Sequence, residues 1–169
     1  MKSKGFSLIE LVIFIVVFSI GVLGVLVTFY NSLQHSGESI LRMKGVEVAG
    51  AIMDEILSRK FDNDTPNGGG TIPLSLVNIG REAPDDSNTI QFDDVDDYNG
   101  LDCVTGSNGC FDNITKGYRV KITVTCATVD SSGVIAAAAC PTNYKLITVT
   151  VYGHLRDERY VLKAIKANF

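Results

Sequence analysis

Histidine is scarce in this chain, and basic residues nowhere gather into a cluster. With only His35 and His154, a histidine-based catalytic triad has no motif to announce it, and His154 reads as a surface turn residue. Without a lysine and arginine cluster there is nothing to neutralise a run of phosphates, so nucleic acid is excluded as a partner. No Cys-x-x-Cys pair occurs, and His35 lies far upstream of every cysteine, which excludes an ordinary zinc site. Gly68-Gly69-Gly70 lacks the Lys-Ser/Thr that completes a phosphate loop, and reads as a flexible turn. No nucleophile motif or paired-base constellation is present either. The chain reads as no enzyme.

Charge is scarcest near the start. From Phe6 to Tyr30 there is one acidic residue, Glu10, and no basic one; Leu, Ile, Val, Phe and Gly make up most of the rest. A membrane crossing takes about 20 residues of helix, so this run is long enough to span. Lys2 and Lys4 precede it and would hold the N-terminus in the cytoplasm. A secretory signal would end in a small-residue cleavage site, whereas this run ends in Val27-Thr28-Phe29-Tyr30-Asn31. A plain anchor explains length and flank but not Glu10, because a carboxylate in hydrocarbon costs about 3 kcal/mol and marks function by default.

The stretch Gly5-Phe6-Ser7-Leu8-Ile9-Glu10 resembles the processing motif of type IV prepilins and of type II secretion pseudopilins. The parts are independent: a short basic leader, Gly then Phe, Glu four residues after Phe, and an unbroken apolar run. The resemblance implies that a prepilin peptidase cuts after Gly5, that Phe6 becomes a methylated N-terminus, and that the apolar run is retained as the core of a helical filament. Glu10 would then neutralise the new amine of a neighbouring subunit's Phe6 and set the axial register, each charge relieving the other's desolvation. The rival reading is that Glu10 snorkels to the headgroups.

The length of 169 residues suits one globular domain once the apolar segment is set aside. The net charge is −4, and more acidic still without Lys2 and Lys4. From Asn31 to Phe61 helical periodicity continues, with Leu41, Val48, Ile52 and Ile56 near one face and Ala49 and Met53 beside them. One continuous helix from Phe6 to about Lys60 is expected. Gly21 and Gly24 fit either close packing in lipid or local melting on assembly, while Gly37, Gly45 and Gly50 weaken the second half. Phe61 to Gly70 is a stop signal, and Thr71 to Ile79 reads as a short edge strand limited by Pro73.

Between Glu82 and Asp112 stand nine acids and no base. Within them, Asp93, Asp94, Asp96 and Asp97 repel one another unless something neutralises them. Two readings stay open: a calcium site using these four carboxylates, since calcium takes oxygen ligands, or a solvated acidic loop with some Asp side chains capping turns. No EF-hand spacing can be drawn, although some members of the resembled family bind calcium in this part of the chain. Beyond the acids, Tyr118 to Cys126 alternates with Tyr118, Val120, Ile122 and Val124 inward; Tyr144 to His154 and Glu158 to Ala167 follow as strands of an antiparallel meander. Cys103, Cys110, Cys126 and Cys140 suit disulfides in an oxidising compartment, with local pairing 103–110 and 126–140 expected and two other connectivities open.

A helix stripe plus one antiparallel sheet gives an α+β fold, the head that the resemblance also implies. The expected organisation is a cleaved leader 1–5, an apolar transmembrane and assembly helix 6–30, an amphipathic continuation 31–61, and a β-rich head 62–169 with an acidic loop 82–112. Phe92-Asp93-Asp94-Val95-Asp96-Asp97-Tyr98-Asn99-Gly100, after a helix end Met53-Asp54-Glu55-Ile56-Leu57, resembles the MshD-like minor pilins of the mannose-sensitive haemagglutinin (MSHA) pilus. That implies a subunit serving pilus assembly and, indirectly, adhesion. Its partners would be other pilin subunits, the prepilin peptidase, the assembly platform and, before assembly, the inner membrane. It would pass that membrane once and end in an extracellular filament. The alternatives are a type II secretion pseudopilin and a tip adhesin, the latter disfavoured by loops with few aromatics to stack on sugars.

Overall fold

A computed structural model describes residues 7–81, 88–153 and 158–169, and of residues 34–36 only the backbone. Gly5, Phe6 and His154 lie outside the described residues, as do Glu82, Asp85 and Asp86 of the acidic stretch. One helix, α1, runs Leu8–Ser58, and five strands follow: β1 Asp102–Val104, β2 Arg119–Val129, β3 Ile135–Ala137, β4 Tyr144–Tyr152 and β5 Arg159–Ala167. All strand pairs are antiparallel, in the order β1-β2-β4-β5, with β3 on β2. This is an α+β fold of the type IV pilin kind. The chain divides into two units, Met1–Ile40 and Leu41–Phe169.

From Leu8 onward the first unit is helix. Its apolar side chains are exposed from Leu8 to Leu33, and it carries the candidate membrane span among the described residues. Two of its hydroxyls bond within the helix: Ser19 donates to the Ile15 carbonyl at 2.7 Å, and Thr28 to that of Val25 at 2.8 Å. A helix that closes its own backbone hydrogen bonds while presenting mostly hydrocarbon is what a bilayer accepts. Gly21 and Gly24 have nothing within 4 Å of where a Cβ would sit.

The second unit, the head, holds the core. The periodic stripe Val48, Ala49, Ile52, Met53 and Ile56 is buried together with Val120, Ile122, Val124, Ile147, Val149 and Val151. The register sets Ile122 opposite Val149 and Val124 opposite Ile147, so the inward residues of β2 and β4 form one apolar face. Tyr160, Leu162 and Ala164 of β5 pack against its side. Gly45 is buried under the Tyr160 ring, where a Cβ would lie 2.2 Å from a ring carbon. What weakens the helix in propensity therefore lets β5 approach it.

Thr71 to Ile79 forms no strand. Asn168 takes both backbone groups of Ile72, accepting from its N–H and donating to its carbonyl, each at 2.9 Å. Leu74–Leu76 is a 3-10 turn closed by Leu76 N–H to Pro73 O and Val77 N–H to Leu74 O. Backbone groups engaged in this way are not open to a sheet ladder. Ile72 and Val77 form a small satellite core with Phe61. Disulfides join Cys103 to Cys110 and Cys126 to Cys140.

Candidate functional site

Two places carry chemistry. The first is the start of α1, where Glu10 is exposed in the first helical turn among Leu8, Ile9, Leu11 and Val12, all exposed too. Glu10 is the one acidic side chain in that otherwise apolar turn of the helix.

The second place is the acidic segment, where Asp side chains cap a turn as one reading expected, but three of them are buried instead of solvated. Asp94, Asp96 and Asp97 are fully buried, whereas Asp93 is exposed. The segment docks beside the residue that follows α1 by two positions: Lys60 N–H donates to the Asp93 carbonyl at 3.2 Å, and Val95 N–H to the Lys60 carbonyl at 3.1 Å. Asp94 and Asp97 then cap each other's backbone. Asp94 Oδ1 accepts from the N–H of Asp96 (2.9 Å) and Asp97 (3.2 Å), while Asp97 Oδ2 accepts from Asp93 (3.0 Å) and Asp94 (3.3 Å). Gly100 ends the turn at φ +76°, in the left-handed region that glycine enters without strain. Tyr98 anchors the segment from below, edge-on to Phe92 and stacked on Phe111. Burial pushes the Tyr98 phenol up to about 12, and its oxygen accepts from Arg59 Nε at 3.2 Å.

Two charge arrangements result. In one, Asp93, Asp94 and Asp97 each bring a carboxylate oxygen within 4.8 Å of the others. Asp94 Oδ2 is buried and has no hydrogen-bond partner. Burial, with the neighbouring Asp96 and Asp97 charges, pushes the Asp94 carboxyl up to about 8. In the other, Lys145 is fully buried and its ammonium donates to Phe61 O (2.8 Å), Asp62 Oδ2 (2.9 Å) and Asp96 Oδ1. The Phe61 ring lies 4.7 Å from the same nitrogen. Asp96 Oδ2 is held by the Gly80 N–H at 3.3 Å. Both Asp96 oxygens are thus engaged, and the four-carboxylate calcium set of the sequence reading shrinks to Asp93, Asp94 and Asp97.

Lys145 and Asp62 were not singled out in the sequence reading. The signal for Lys145 lay in the alternation, which puts residue 145 on the same face as Ile147, Val149 and Val151. Asp62 carried no such signal, because it sits in the Pro/Gly/Asn stretch that reads as exposed loop.

Residues 1–26 match a family model described as the prokaryotic N-terminal methylation motif. No curated protein and no solved structure matches the chain. The chain thus combines a prepilin-type methylation motif with a long N-terminal helix packed on a C-terminal antiparallel sheet, a type IV pilin-like architecture. The fold resembles that of non-catalytic pilin structural proteins. Among the described residues, the acidic group is the one cluster of metal-ligating side chains.

Proposed function

We propose that this chain is a minor pilin of an MSHA-like type IV pilus. A prepilin peptidase cuts it after Gly5 and methylates Phe6, and it joins other pilin subunits through the helix that starts there. One observation carries this reading: the methylation motif leads directly into an apolar helix whose side chains are exposed from Leu8 to Leu33. The segments have separate tasks. Residues 1–5 are the leader, 6–30 hold the subunit in the inner membrane and then in the filament, 31–61 lead into the head, and 62–169 complete it. The FDDVDDYNG segment favours the MshD-like pilus subunit over a type II secretion pseudopilin. A calcium ion on Asp93, Asp94 and Asp97 belongs to the same reading, because the buried, unpartnered Asp94 oxygen suits a hard cation.

Glu10→Gln tests the assembly role. The variant is expected to be processed normally yet absent from sheared filaments, because an amide cannot neutralise the Phe6 amine of a neighbour. Full incorporation would leave Glu10 as a residue that merely reaches the headgroups.

A further inference from the structure

The three groups Lys145, Asp96 and Asp62 form a closed arrangement that the assembly reading does not use. A primary amine and two carboxylates share one dry pocket, each residue 3% exposed or less. Lys145 Nζ contacts Asp96 Oδ1 and Asp62 Oδ2 together, so both carboxylates address the same nitrogen. The pocket wall includes the Phe61 ring over that nitrogen. The partners come from distant parts of the chain: Asp62 follows α1, Asp96 lies in the 3-10 turn of the acidic segment, and Lys145 is on β4.

We propose that Lys145 and Asp96 condense into an intramolecular isopeptide bond, with Asp62 as the proton shuttle. The step balances without any external reagent. A proton moves within the ion pair from the Lys145 ammonium to Asp96 Oδ1, leaving a neutral amine beside a carboxylic acid. The Nζ lone pair attacks Asp96 Cγ, and the carbonyl electrons move onto Oδ2, where the Gly80 N–H receives the developing charge. Asp62 takes the proton from the attacking nitrogen and passes it to the Oδ1 hydroxyl. The Cγ–Oδ1 bond then breaks and one water leaves. Fixed neighbours in a water-poor pocket supply the effective concentration that an amine and an acid lack in solution. In the product, the amide N–H can donate to Asp62 or to the Phe61 carbonyl, and no buried charge remains on Lys145 or Asp96. The bond would tie the acidic segment covalently to the sheet, adding a third cross-link to the two disulfides.

Intact mass spectrometry of the detergent-purified full chain, after reduction and alkylation, reads this directly. The expected mass is one water below that of the processed sequence, with tandem spectra joining the Lys145 peptide to the Asp96 peptide. A full unmodified mass overturns the proposal, and so does a water loss that maps to any other pair. Asp62→Asn is expected to restore the missing water while both disulfides still form; a persistent cross-link in that variant removes Asp62 from the step. Leader cleavage alters only the N-terminal peptide, so the assembly reading and this one fail separately.

Discussion

An ammonium loses several kcal/mol of hydration when it enters a protein core, and holds its place there only if each of its three hydrogens meets an acceptor. Lys145 meets Phe61, Asp62 and Asp96. Asp94 is placed differently: Lys145 lowers its affinity for protons only as a minor influence, while burial and the neighbouring carboxylates raise it. A carboxyl whose folded value stands above its unfolded one stabilises the fold fully at low pH and loses that contribution as pH rises through the folded value. The head's melting temperature is therefore expected to fall between about pH 4 and about pH 8 on account of Asp94. Asp94→Asn is expected to flatten that slope, as thermal unfolding monitored across pH would show; an unchanged slope would remove Asp94 as its source. Calcium needs the ionised carboxylate, so it is expected to raise the melting temperature more at about pH 8 than at about pH 6. Chelation should reverse the gain, and Asp94→Asn should abolish it. At this scale the acidic run was visible in the sequence as a problem of repulsion. Its solution was not, because Lys145 stands far from it along the chain and meets Asp96 only through the fold.

A single helix serves two environments because its apolar residues are arranged in two ways. Along the first half they occupy every side and remain exposed, as suits hydrocarbon solvent; along the second they form a stripe that the sheet covers. Truncation should separate the halves. Ile52→Ala removes buried methylene groups from the core and is expected to cost the head about 2–5 kcal/mol, read by denaturant unfolding in detergent. Leu23→Ala, at an exposed position, is expected to leave the head's stability unchanged; equal losses would contradict the division. Gly45→Ala should also destabilise, since the Tyr160 ring would have to move away from the new Cβ, with a cost of about 1–3 kcal/mol. Both the long helix and the three longer strands were readable from periodicity, where burial on one face writes itself into the sequence. Thr71 to Ile79 misled because it has strand-like residues but no free backbone: Asn168, almost a hundred residues later, holds Ile72. The short strands β1 and β3 are set by pairing onto β2, and three residues are too few to show a period.

Taken whole, the molecule joins an apolar, exposed helix long enough to cross a membrane to a head with its own core. The head's cohesion comes from one apolar core, two disulfides and the buried Lys145 cluster. Such a division makes sense if the apolar segment is kept after export and not discarded. The N-terminal motif was the most readable part of the sequence, since its signal is local and depends on no tertiary contact: residues 1–26 match the methylation-motif family. The mature N-terminus of protein isolated from cells is therefore the most direct measurement. Mass spectrometry of its N-terminal peptide is expected to begin at Phe6 with an N-methyl group, and in a Gly5→Val variant to begin in the uncut leader. A mature chain that retains residues 1–5, or one that starts beyond the apolar run, would contradict the account.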